Sequence, residues 1–479
     1  MDFYSLISIV SAKPRKYKNW VKKFMQRIKK KGLKQAFKDV YIYLKQQRIM
    51  KIFAKSGVIS THTMKNLPLT KVINLKTINS NYKLYLEEPQ TMIKKFKHDY
   101  NFKNKPKVQL IHNGFIAPHS GGGVYDKEGN FVTYHKRKIN ENIERDICSV
   151  SFKDKLEDDS ETVVFGGVIF NHFGHFLLES LSRMWWLIEN PTCMHKFVFI
   201  SADDHPINFD ALEFFEILGL ERNRIEVVKK PTRFNAIIVP EQTIFISDGF
   251  KPEAIKVYDA LRSAVSPANY KKVYFTRTKL WRIDAVNEEY FENYFRSKGY
   301  TIIAPETLSI REQIAVMAGV EEYACISGSL HHHILLCREG VKVVILNRTS
   351  YMFEVGFIPV SAWVNQLIKA NCIYIDVFMN FLPFGNQSTY LVGPTASWLA
   401  YKKDIFNEDA TSDDSLTTHK IIEYISTWCH FMATIPVNRE QHAHTTFADF
   451  VIQYHKYVYG IELEDTVKKR LYEIYPKHK

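Results

Sequence analysis

The chain has 479 residues, 46% of them apolar and 14% aromatic, so most of it should fold, and it is too long for one compact core. Its net charge of +14 is local: residues 1–55 carry sixteen Lys and Arg against Asp2 and Asp39, and the rest of the chain is neutral. Six scattered cysteines with no Cys-x-x-Cys pair argue against a zinc ribbon or a disulfide scaffold, and no run of about 18 apolar residues predicts a membrane span.

Residues 16–31 suit an amphipathic helix, with Trp20, Val21, Phe24, Met25 and Ile28 at helical spacing and lysines opposite. After Gly32, Leu33, Phe37, Val40, Tyr41 and Leu44 continue the pattern on a second helix. Such an arm, over residues 13–55, is expected to lie on an anionic membrane surface, attracted by about 1 kcal/mol per well-placed cation. The alternative is that its apolar face packs on the protein. No nucleic-acid motif is present, and nucleic acid is not an expected partner. The start, Met1-Asp2-Phe3, lacks the basic stretch that precedes a secretory core, which makes the inner face of the plasma membrane, on the cytoplasmic side, the expected location.

Residues 60–160 are strand-rich, with turn clusters at 117–123 and 126–130. The run Gly121-Gly122-Gly123 is followed by no Lys-Ser/Thr pair, so it predicts a hairpin turn and not a P-loop. From 162 an alternation begins: strand 163–170, helix 174–190, strand 196–201, helix 207–219, strands 224–228 and 236–239, and a linking helix at 252–265. A second alternation follows: strand 273–276, helix 287–298, strand 300–304, helix 309–317, strand 323–326, the turn Ser327-Gly328-Ser329-Leu330-His331-His332-His333, and strand 341–346. Short apolar strands alternating with helices predict parallel sheets, and ligands of such sheets bind beyond the C-terminal strand ends. Residues 404–415 read as an acidic loop, and helices are expected near 417–433 and 445–458. The expected units are an arm at 1–55, domains at 56–255 and 256–380, and a helical extension at 381–479.

Two groups of residues carry chemistry. At 100° per residue, His175, Glu179, Ser182, Arg183 and Trp186 fall on one stripe of helix 174–190, with Leu177, Leu181, Met184 and Ile188 opposite. His, Glu and Arg in adjacent turns are costly to bury and suit the wall of a cleft; a surface ion pair from Glu179 to Arg183 is the plainer alternative. At the second group, Arg277 at a strand end and the Ser327-Gly328-Ser329 turn offer a cation, amides and hydroxyls to an anion such as a nucleotide diphosphate. His172, His175 and Glu179, or His331 to His333, also suggest a metal. Successive side chains diverge, however, and the zincin spacing is absent, so no metal is expected.

At these residues the sequence resembles glycosyltransferase family 61. The resemblance rests on Tyr274-Phe275-Thr276-Arg277, Arg282, Asn287-Glu288, Gly299-Tyr300, Pro305-Glu306-Thr307-Leu308-Ser309, Glu312-Gln313, the Gly-Ser turn with its histidines, and the stretch from Gly167 through Asn171-His172-Phe173-Gly174-His175 to Glu179 and Arg183. It departs from the family pattern at His333, where Asn is common, and between Arg282 and Asn287, one residue longer than usual. That family includes bacterial capsule and lipopolysaccharide enzymes and eukaryotic xylosyl- and N-acetylglucosaminyltransferases. The resemblance implies an α/β protein of GT-B type, with two Rossmann-like domains facing a cleft, here with N-terminal basic helices and a C-terminal helical extension. It implies an inverting glycosyltransferase that moves a sugar from a nucleotide sugar, expected to be UDP-linked, to a hydroxyl of a surface polysaccharide. Arg277, Arg282, Asn287, Gln313, Ser327, Gly328, Ser329 and His332 are then the expected donor-binding residues. His175, Glu179 and Arg183 are the expected catalytic ones, with either His175 or Glu179 as base. No cofactor is expected. Two rival readings are a metal-dependent hydrolase or phosphotransferase built on the histidine clusters, and a non-catalytic polysaccharide-assembly protein.

Overall fold

A computed structural model describes residues 71–86, 96–118, 122–133, 135–139, 157–202, 211–246, 248–279, 285–348, 357–379 and 389–417, with scattered positions beyond. The basic arm at 13–55, most of the helix expected at 417–433 and all of that expected at 445–458 lie outside the described residues.

In chain order the described elements open with a hairpin, β1 (Lys71–Lys76) and β2 (Asn81–Leu86), then β3 (Val108–His112), β4 (Phe115–Ala117), β5 (Gly123–Tyr125) and β6 (Phe131–Thr133). The long strand β7 (Glu157–Ile169) leads into α1 (Phe173–His175), a π-helical turn (Phe176–Ser180) and α2 (Trp185–Glu189). There follow β8 (Lys196–Ser201), α3 (Leu212–Ile217), β9 (Ile225–Val227), β10 (Thr232–Pro240), the small pair β11 (Ile244–Phe245) and β12 (Gly249–Phe250), and α4 (Ala254–Ser263). The second alternation comprises β13 (Lys272–Phe275), β14 (Ala285–Val286), α5 (Glu288–Ser297), β15 (Thr301–Ile303), α6 (Ile310–Gly319), β16 (Glu322–Ile326), a 3-10 helix (Ser329–Leu336) and β17 (Lys342–Asn347). It closes with α7 (Phe357–Leu367), β18 (Asn371–Asp376), β19 (Tyr390–Leu391) and α8 (Ala396–Phe406).

Two large sheets organise this mixed α/β fold. One runs β6-β5-β4-β10-β7-β8-β9, with β3 also on β10; β10, β7, β8 and β9 are parallel. The other runs β1-β2-β18-β17-β16-β13-β15 and is parallel except for β1. In chain order its parallel strands β13, β15, β16, β17 and β18 lie side by side as second, first, third, fourth and fifth, a doubly wound arrangement whose order reverses between β13 and β16. The crevice at that reversal is where such sheets bind ligands.

The sequence places β1 and β2 in the unit at 56–255, but β2 pairs in parallel with β18 at the edge of the second sheet. Pairing across some 290 residues of chain leaves no local signal in the strand itself.

Side-chain alternation on the strands explains the layers. Val273 and Phe275 of β13 point into one continuous apolar cluster that also holds Val164 and Phe199 of the first sheet, with Leu181, Phe214, Leu261, Ile314 and Trp363 from the helices between. Tyr274 points the other way, where Phe291 and Phe295 of α5 and Trp398 and Tyr401 of α8 cover the sheet. The extension after 380 therefore contributes α8 to the outer face of the second sheet. Because both faces are buried, β16 and β17 read as unbroken apolar runs.

Candidate active site

The C-terminal ends of three adjacent strands build one half of the site. Arg277 follows β13, the Ser327-Gly328 pair follows β16, and Arg348 follows β17. Gly328 has φ +133°, outside the range an L side chain readily adopts. A Cβ there would lie 3.1 Å from Nη1 of Arg277 and 3.0 Å from Nη2 of Arg348. Both arginines are buried, at 5% and 8% exposure. Burial first, and then the charge of Arg348, lower the pKa of Arg277 to about 10, which leaves it cationic at neutral pH. Arg277 Nε is buried with no hydrogen-bond partner. Two buried like charges around a glycine are costly alone and well matched to a doubly anionic group. Arg348 was missed in the sequence. Its signal was available: it ends the strand 341–346 as Arg277 ends 273–276.

The other half comes from the helix after β7. The single helix expected at 174–190 is interrupted by the π turn, in which Leu181 N–H donates to Phe176 O at 3.2 Å, five residues back. One extra residue in a turn rotates everything after it by about 100°. Before the turn, the expected pairing holds: His175 Nδ1 lies 2.5 Å from Glu179 Oε2. After it, Arg183 leaves the stripe. Its guanidinium donates to Pro240 O, packs over the Phe165 ring at 5.2 Å and lies against Gly167, buried beneath β7. The Glu179–Arg183 pair is replaced by others: His135 Nε2 is 2.5 Å from Glu179 Oε1, and Arg137 Nε is 3.6 Å from the same oxygen. His135 and Arg137 stand on irregular chain more than forty residues upstream, where no sequence pattern marks them.

Glu179 is fully enclosed. Burial raises its pKa, but hydrogen bonds from His135 and His175 and their charge outweigh that and hold it at about 2. A carboxylate with both oxygens occupied orients its neighbours and is poorly placed to collect a proton itself. His175 keeps 34% of its side chain exposed. With Nδ1–H donated to Glu179, Nε2 keeps its lone pair, the arrangement of a general base held by a carboxylate.

Gly174 joins the halves. A Cβ on it would come within 2.7 Å of His332 Cδ2 and 3.3 Å of Ser329 Oγ. Next to it, His172 Nε2 lies 3.3 Å from Ser329 Oγ, and the rings of His172 and His175 are 4.9 Å apart. Burial, then the charges of His175, Arg277 and Arg348, lower the pKa of His172 to about 4. His172 is therefore neutral and lies within electrostatic reach of both the base and the arginines.

The three consecutive histidines point in three directions. His331 Nε2 meets Asn365 Oδ1 at 3.0 Å; His333 meets Leu330 O at 3.1 Å and Gln313 Oε1 at 2.9 Å, and stacks on Phe173. His332 alone faces His172 and His175, with a buried Nδ1 that has no partner, and burial followed by its histidine neighbours lowers its pKa well below the usual value. Among the described residues no group of three His, Cys, Asp or Glu side chains is arranged to hold a metal ion.

The remaining expected donor residues serve structure more visibly than ligand. Gln313 donates to Pro305 O and Leu308 O at 3.0 and 3.1 Å, fastening the loop before α6, whose first turn carries a Ser309–Glu312 capping box. Asn287 adopts φ +73° ahead of α5 and donates to Val392 O at 3.0 Å. Ser327 accepts from Arg348 N–H at 3.3 Å, bridging β16 and β17. Arg282 lies outside the described residues. Next to Asn287, the wholly buried Glu288 accepts from Tyr274 Oη and from Arg277 N–H, both at 3.1 Å. The sequence showed Glu288 only as part of the Asn-Glu pair.

No curated protein matches the chain. Residues 173–344 match the family model described as Glycosyltransferase 61, a stretch that holds His175, Glu179, Arg277 and Gly328 and ends four residues before Arg348: the protein is a glycosyltransferase.

Proposed function

We propose that this enzyme is an inverting glycosyltransferase of the GT-B type whose donor is a sugar linked to a nucleoside diphosphate, most simply UDP. The observation that carries the reading is the convergence of Arg277 and Arg348 on Gly328 at the reversal of the second sheet, joined at Gly174 to the His175–Glu179 pair. The diphosphate lies against the two guanidiniums, which offset the charge that grows on the leaving oxygen. The acceptor hydroxyl approaches from the side of the first sheet. His175 Nε2 takes its proton as its oxygen bonds to the anomeric carbon from the face opposite the diphosphate. The bond from that carbon to the diphosphate oxygen breaks, its electron pair stays with the diphosphate, and the configuration inverts. Glu179 keeps His175 in the right tautomer and stabilises it once protonated. His332 and Ser329 stand between base and arginines, placed to contact the sugar.

The acceptor we assign is a growing surface glycan, capsular or lipopolysaccharide. The basic arm at 13–55 would hold the enzyme on the anionic inner face of the plasma membrane, through its apolar stripe and lysines. No helix among the described residues is long and apolar enough to cross a membrane. The test is a thermal-shift screen of nucleotide sugars followed by donor turnover, with Arg277→Ala and His332→Ala as controls and NMR of the product's anomeric configuration. If no nucleotide sugar stabilises the wild type, the donor site is refuted. Retention of configuration would refute the single-displacement step alone.

A further inference from the structure

The acid whose charge acts on Arg277 is Glu288, at 0% exposure in the first turn of α5. Oε1 accepts two hydrogen bonds, from Tyr274 Oη and from the backbone N–H of Arg277, while Oε2 is buried with no partner. The carboxyl thus grips the strand end that carries Arg277 while half of its own hydrogen-bonding capacity is unmet. The groups that face it are Arg277 and Tyr274 from β13, Glu292 from its own helix and Cys325 from β16. Arg277 is the one cation among these.

Resting on the donor site just assigned, we propose that Glu288 is a positioning residue whose carboxyl balances Arg277 in the free enzyme and takes up a proton when the diphosphate of the donor binds. A buried carboxylate tolerates its charge here with the help of the Arg277 backbone N–H and the charge of the Arg277 guanidinium. A diphosphate that claims the same guanidinium removes that compensation and adds like charge, and both effects favour the neutral acid. Loss of the product diphosphate returns the proton to solvent. Burial already lifts the pKa of Glu288 to about 7, against opposing hydrogen bonds and the charge of Arg277. The proton count therefore changes inside the neutral range.

The experiment is titration calorimetry of the whole chain with UDP-N-acetylglucosamine, UDP-xylose and GDP-mannose, in two buffers of different ionisation enthalpy at pH 7 and 8. A diphosphate diester has no proton of its own to exchange in that range. The expected result is uptake of about half a proton per site at pH 7. Affinity should weaken by up to about tenfold per pH unit above 7, and Glu288→Gln should lose both effects while keeping its bonds to Tyr274 and Arg277. Infrared difference spectra of the wild type on donor binding should show a carboxylic-acid C=O band, which decides the matter even if the variant fails to fold. Binding without uptake, uptake that persists in Glu288→Gln, or uptake without that band overturns this inference and leaves the donor site standing. If none of the donors binds, the donor site falls and this inference with it.

Discussion

Arg277 and Arg348 reach the same glycine from either side, since β16 lies between β13 and β17 and its end, Gly328, has no side chain to keep them apart. Their mutual repulsion is built into the free protein: the charge of Arg348 is the second cause, after burial, of the lowered pKa of Arg277. Two buried like charges are costly without a ligand and suit the diphosphate proposed above. In the reaction proposed above, the leaving group would face these arginines and the base would stand across from them.

Arg277→Ala and Arg348→Ala should each lower kcat/KM for the donor by about 10- to 150-fold, the worth of one charge-assisted contact. The melting temperature of the free enzyme should change little in comparison, because each substitution relieves a buried like-charge pair while losing an attractive contact, the charge of Glu288 for Arg277 and the Tyr390 ring at 4.0 Å for Arg348. Lysine at either position should not restore activity, since a point charge cannot reproduce two parallel N–H donors. Steady-state kinetics and thermal melts of the four variants check this. A fall in stability that matched the fall in activity would mean the arginines are structural.

His175→Ala should reduce kcat by about 10²- to 10⁴-fold with little change in donor KM, as expected for loss of a general base. Glu179→Gln should reduce kcat less, because the amide can still touch His175 but cannot stabilise its protonated form. The acidic limb of the pH–kcat profile should move in Glu179→Gln and vanish in His175→Ala. Arg183→Met, by contrast, should change stability and leave the profile's shape alone, because Arg183 lies beneath β7. Equal loss of kcat in all three would contradict the division of roles.

Gly174→Ala tests the junction between the halves. The added methyl would sit 2.7 Å from His332 Cδ2, well inside van der Waals contact, and His332 is held in a packed site. Overpacking of this kind costs about 1–3 kcal/mol, and it should displace His332 from the cleft and lower kcat. Combining it with His332→Ala should recover most of the lost stability but not the activity. A double-mutant cycle on melting temperature and kcat reads both; additive losses in stability would show that the two residues do not touch.

What the sequence made legible was local. Strands buried on both faces, helices with caps and the residues just past strand ends all write themselves into short windows, so β13, β15, β16, β17 and Arg277 could be read directly. What escaped depends on geometry the window does not contain. The π turn at Phe176–Ser180 adds one residue per turn and sends Arg183 under the sheet, against a reading at constant pitch. His135 reaches Glu179 from irregular chain, and β2 pairs with β18 across the whole second alternation. Arg348 escaped for a different reason: it stands two residues past the apolar run 341–346, behind Asn347, the last residue of β17.

Acid should unfold this protein earlier than its carboxylates alone would. His331 and His333 are held neutral by burial, with pKa values of about 4, and His332 is shifted in the same direction. Each has a folded pKa below its unfolded value near 6.5, so the unfolded chain binds more protons between those limits. The stability present above about pH 6.5 is then lost as pH falls toward 4, by roughly 1.4 kcal/mol per pH unit for each fully buried histidine. Glu179 adds a second, lower window: its stability is present above about pH 4.5 and lost as pH falls toward 2. Glu288 runs the other way, since its raised pKa costs stability as pH climbs from about 4.5 through 7. Three buried histidines outweigh one acid, so the melting temperature should rise from pH 5 to about 6.5 and then level off. His333→Gln, which can keep a hydrogen bond to Gln313, should flatten that rise by one histidine's share. Thermal melts at half-unit steps from pH 4.5 to 8 measure it, and a wild-type curve flat between pH 5 and 6.5 would mean these histidines are not buried in neutral form.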